Sequence, residues 1–202
     1  DFSCVQTADL SLPVPTGTTF MSGAVCGLDA TTPCSGTAAT FQVGTGNSTT
    51  GTGTPYEGYW HDGRVVYLYT AAELTALGLS EGLINSLAFD VSSKGSTQSY
   101  ADFTIRMGCT NATFMPSTFP TVTDVVFNGT VTTSTGINTH IFNTPYMWDG
   151  VSNLYIEVCF NNLNSGAYTF NWSTPYKITP FNSAIYYCFF LWLPFLSKFR
   201  FG

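Results

Sequence analysis

Charge is scarce in this chain. Of 202 residues, 6 are basic and 12 acidic, so charged side chains make 9% of the sequence, against about 25% in an ordinary soluble domain. The basic residues, Arg64, Lys94, Arg106, Lys177, Lys198 and Arg200, are scattered. No basic patch exists to neutralise phosphates, which argues against nucleic acid and an anionic membrane surface as partners. Histidine occurs twice, as His61 and His140, in neither case with the spacing of a zinc hydrolase. A Gly-x-Ser-x-Gly nucleophile turn is lacking, and the glycine-rich run at 42–53 has no following Gly-Lys-Ser/Thr to make a phosphate loop. Long apolar runs are lacking too. The nearest, IYYCFFLWLPFL at 185–196, is too short to span a bilayer as a helix and contains Pro194.

What is present is Thr, Gly, Ser and Asn in abundance, with 16% aromatic residues. A surface made polar by hydroxyls and amides suits an extracellular or cell-surface β-protein. The length fits one substantial core. Residues 1–40, rich in Thr, Pro and Gly, read as a lead-in or linker, and residues 41–202 as the folded module, with an atypical hydrophobic tail at 188–202. Cys4, Cys26, Cys34, Cys109, Cys159 and Cys188 include no C-x-x-C pair and no nearby histidine, so disulfides are a better reading than zinc. Cys26–Cys34 would close a short loop and Cys109–Cys159 would join two strands; six cysteines allow 15 pairings and spacing does not choose among them.

Residues 64–91 state the architecture most clearly. The β-branched and aromatic run RVVYLY reads as a strand. Thr70 and Glu73 then form a T-x-x-E capping box that opens a helix over 71–77, with Leu74 and Leu77 as its apolar ridge and Gly78 as a left-handed cap. Leu87, Phe89 and Val91 alternate with polar residues as a further strand. Strand alternation returns at 102–107, with Phe103, Ile105 and Met107 inward, and at 153–160, with Leu154, Ile156, Val158 and Phe160 on one face and Tyr155, Glu157 and Cys159 on the other. Residues 138–142 read as a short strand. Asn128-Gly129 reads as a hairpin turn, and Asp149-Gly150 as another. The expected fold is all-β: a two-sheet antiparallel β-sandwich, jelly-roll or Ig-like, with one short helix.

The ordered segments YLYTAAELTALGLSEGLINSLAFDV, FTIRMG, PYMWDGVSNLYIEVCFNN and TPFNSAIYY, over about residues 40–187, resemble a β-sandwich module of large secreted and cell-surface, adhesin-like proteins of Bacteroidota-type bacteria, many of them exported by type IX secretion. The resemblance implies an accessory or adhesive role within a larger multidomain protein. It carries no catalytic residue and no agreed ligand. After Tyr187 the sequence departs from the pattern of such modules.

The residues with binding chemistry are aromatic. Tyr56, Tyr59 and Trp60 crowd a loop before the first strand, and Trp172 and Tyr176 are candidates to join them. Flat rings stack on sugars or anchor a protein partner. Tyr59 and Trp60 are neighbours, so an extended backbone points them to opposite faces and at least one is expected at the surface. A glycan or a cell-surface protein is therefore the expected partner. Asp149, Ser152 and Asn153 offer oxygen ligands at i, i+3 and i+4, and calcium is the ion that such oxygens would hold; a hairpin turn explains the same letters without one. No cofactor is called for. A glycosidase using two of the carboxylates is the enzymatic alternative, and a spacer or assembly module without a ligand is the structural one.

Overall fold

A computed structural model describes residues 39–43, 48–50, 53–59, 61–162, 169–170, 174–176 and 179–189. The expected lead-in therefore lies almost wholly outside the described residues, as does the tail beyond Phe189. In chain order the elements are β1 (Ser48–Thr50), β2 (Glu57–Gly58), β3 (Asp62–Tyr69), α1 (Ala71–Ala76), β4 (Gly82–Val91), β5 (Tyr100–Thr110), β6 (Asp124–Val131), β7 (Gly136–Trp148), β8 (Asn153–Asn161), β9 (Thr169–Phe170), β10 (Thr174–Tyr176) and β11 (Ala184–Phe189).

The alternation read from the sequence becomes two packed layers. β11, β3, β8, β5 and β6 form, in that order, a five-stranded sheet, and every pairing in it is antiparallel. The β4–β7 ribbon packs on one face of this sheet, enclosing Phe103, Ile105, Met107, Leu154, Ile156 and Val158 with Trp148, Phe142 and Val91. Burying each such side chain contributes roughly 1.5–3 kcal/mol. The result is the expected all-β sandwich. On the opposite face of the five-stranded sheet a smaller cluster of Val66, Leu68, Tyr155 and Ile185 is covered by Met115 and Val122 from the β5–β6 connection. β11 runs on to Phe189, which pairs with Asp62, so the first residues of the atypical tail belong to the sheet.

The helix forms through the capping box. Thr70 is extended, its hydroxyl accepts from the Glu73 amide, and Glu73 accepts in return from the Thr70 amide. Gly78 takes φ +94, as a left-handed cap requires. The apolar ridge holds only in part. Leu74 is buried, but the helix stops at Ala76 and Leu77 becomes its C-cap, 39% exposed. Leu79, whose amide donates to the Leu74 carbonyl, packs on the core instead.

Asn128-Gly129 is not a hairpin turn. It lies inside β6, with Asn128 opposite Thr104 and Gly129 opposite Phe103. Pairing with β5 slips just there, Asp102 adopts φ +50, and the Asn128 amide group donates to Asp102 Oδ1 and Thr104 Oγ1. A side chain bonded across the ladder at a bulge replaces the turn that the dipeptide suggests. The strand expected at 138–142 extends from Gly136 to Trp148. Asp149-Gly150 does turn, between β7 and β8, with Gly150 at φ +74.

Candidate functional site

The aromatic loop is built from a buried anchor and an exposed ring. Tyr56 is fully buried between the layers: its ring stacks on Phe103 at 5.6 Å between centroids and meets Phe89 edge-on at 6.0 Å. Its hydroxyl lies 2.6 Å from His140 Nε2, and its carbonyl accepts from the Tyr100 hydroxyl. Burial, reinforced by Tyr100, pushes the Tyr56 hydroxyl far above its ordinary range, so it stays neutral. His140 is equally enclosed, stacked on Phe103 at 5.0 Å and edge-on to Phe127 at 5.2 Å. Burial lowers its pKa to about 4, which leaves a neutral imidazole facing a neutral phenol.

Two residues further on the chain must be glycine. β2 pairs with β9, and a Cβ on Gly58 would sit 1.9 Å from Thr169 Oγ1 and 2.4 Å from the Thr169 carbonyl oxygen. With Tyr56 anchored and Gly58 clamped, Tyr59 is turned outward, 45% exposed. Of the five aromatic candidates the structure thus sends Tyr56 to the core and Tyr59 to the surface. Trp60 and Trp172 lie outside the described residues. Tyr176 is placed by its backbone alone, in β10 opposite Ser48.

The oxygen ligands of the β7–β8 turn are engaged with the chain itself. Asp149 Oδ1 accepts from the Val151 and Ser152 amides at 3.0 and 2.8 Å, and Oδ2 from the Ser152 hydroxyl. The Ser152 hydroxyl, with those amides, holds the Asp149 carboxyl below the usual carboxylate range. Asn153 points elsewhere, accepting from the Ala71 amide and donating to the Ala112 carbonyl, where it ties the helix start to the β5–β6 connection. Among the described residues no three His, Cys, Asp or Glu side chains converge as a metal site would need.

The Cys109–Cys159 disulfide does not form; both are free thiols. Cys109 stands opposite Leu154 and Cys159 opposite Thr104, five positions apart along neighbouring strands. Alternation also puts them on opposite faces, Cys109 on that of Phe103 and Met107, Cys159 on that of Glu157. Cys26 and Cys34 lie outside the described residues.

One polar cluster was not anticipated as a unit. Glu157, on the outer face of β8, is almost fully buried between two arginines: Arg64 on β3 donates Nε and Nη2 to Oε2 at 3.1 and 2.6 Å, and Arg106 on β5 donates Nη1 to Oε1 at 2.7 Å. Arg106 Nη1 also lies 3.2 Å from Cys159 Sγ, and Arg64 stacks over the Phe119 ring at 4.5 Å. Alternation already places Arg106 and Glu157 on outward positions of their strands. What it lacks is the order β3-β8-β5, which brings the three together.

Compared with known protein families, with curated proteins and with solved structures, the chain matches none.

Proposed function

We propose that the chain is a non-enzymatic, secreted or cell-surface β-sandwich module that mediates adhesion by binding a glycan, and that it works as part of a larger multidomain protein, in keeping with its resemblance to adhesin-like modules of Bacteroidota-type bacteria. The observation that carries this reading is the pairing of Tyr56 with Tyr59. A ring half exposed on a loop that is anchored three residues earlier by the buried Tyr56 leaves less backbone freedom to lose on stacking. The carboxylates give the enzymatic alternative little support. Glu73 caps the helix, Asp149 closes its own turn, and both oxygens of Glu157 are held by arginine.

A second reading, an assembly module, rests on the outer face of the β4–β7 ribbon. Leu83 stands directly opposite Met147 there, and beyond a register shift Ile141 and Ile137 of β7 are also exposed, at 74% and 67%, opposite Ser86 and Asp90. Exposed apolar side chains on one strand ribbon suit a protein partner. A glycan-array screen of the intact protein, run beside measurement of its mass in solution, tests both readings. Retention of at least one glycan class by a monomer is the expected result; no retained glycan together with a defined oligomer would favour assembly.

A further inference from the structure

Two of the six basic residues of an acidic chain converge on one carboxylate, and the charges do not balance. Arg64 and Arg106 carry two positive charges against the single negative charge of Glu157, and both ion pairs found among the described residues are these two. Glu157 is spent, with each oxygen engaged. The guanidinium groups are not: Arg106 Nε and Nη2 and Arg64 Nη1 take no acceptor among the described residues, and the side chains remain 30% and 38% exposed. An arginine has five N–H donors in a rigid plane. Here those planes are fixed, Arg64 by the Phe119 ring and Arg106 by the Cys159 sulfur and Glu157.

We propose that Arg64 and Arg106 form an oxyanion-binding site on the outer face of the five-stranded sheet, taking a carboxylate or sulfate group. Glu157 is its positioning residue, holding one guanidinium group on each of its two oxygens at the cost of one of their charges. The surplus charge, the unpaired donors on partly exposed side chains and the partial desolvation together favour a planar or tetrahedral oxyanion over a neutral ligand. The site stands on other residues than the Tyr59 loop and does not depend on the glycan reading.

The direct test follows the arginine Nε–H resonances of the intact protein by NMR at constant ionic strength, during titration with sodium sulfate, sodium glucuronate and, as a neutral control, glucose. Saturable shifts of the Arg64 and Arg106 signals with either anion, and none with glucose, are expected. Sulfate alone would identify a free-ion site, and glucuronate in addition a sugar-borne acid. Arg106→Lys keeps the charge but loses the donor plane, and is expected to weaken binding about tenfold. Phe119→Leu, which leaves both ion pairs intact, serves if the lysine variant does not fold and is expected to weaken binding in the same direction. Shifts that never saturate, or affinities unchanged in the folded variant, would overturn the proposal.

Discussion

At the residue scale the most consequential side chain is His140. Among the described residues its ring contacts are Tyr56, Phe89, Phe103 and Phe127, none of them charged. Its folded-state pKa of about 4 lies below the ordinary value of 6.5, so below pH 6.5 the unfolded chain takes up a proton that the folded chain refuses. The stability it contributes is whole above pH 6.5 and is lost as pH falls toward 4, by up to about 3 kcal/mol. Denaturant melts at pH 7, 5.5 and 4.5 should show that decline, and His140→Phe should flatten it; an unchanged decline in the variant would assign acid lability elsewhere. Tyr56→Phe tests the partner. It keeps the ring stack but removes the hydroxyl facing His140 Nε2, an unsatisfied buried nitrogen costing about 1–3 kcal/mol, readable by chemical denaturation at pH 7.

At the element scale, what the sequence made legible was whatever rests on alternation and capping. β3, β5 and β8 announce themselves because one face of each is continuously apolar, and α1 because Thr70 and Glu73 stand three apart. Thr70→Ala should therefore cost about 1 kcal/mol in thermal or denaturant melts, since it leaves the Glu73 amide without its acceptor. Dipeptide turn signals carried less. Asn128-Gly129 has the letters of a hairpin, yet its side chain finds Asp102 and Thr104 across the ladder, contacts that depend on a strand distant in sequence. The candidate site was half legible for the same reason. Adjacency showed that the Tyr56–Trp60 loop must expose a ring, but which ring is decided by the approach of β9 to Gly58 and by the depth of His140. The Arg64–Glu157–Arg106 cluster required knowing that β8 lies between β3 and β5.

At the scale of the whole molecule, a single apolar core between two layers is joined by no bond between Cys109 and Cys159. The two thiols differ in environment: Cys109 is exposed, whereas Cys159 is half buried and burial raises its pKa against the opposing pull of Arg106. Alkylation of the native protein should therefore reach Cys109 well before Cys159, as peptide mapping would show. The two layers also separate the surfaces, with the arginine pair on the outer face of one and the exposed apolar side chains on the outer face of the other. In the proposed glycan-binding role Tyr59 is the presented ring and Tyr56 its anchor. The measurement that tests it most directly is the affinity of Tyr59→Ala for the glycan retained by the wild type, taken with its melting temperature. Loss of about 1–3 kcal/mol of binding at a nearly unchanged melting temperature is predicted, while undiminished affinity in a fully folded Tyr59→Ala protein would contradict it.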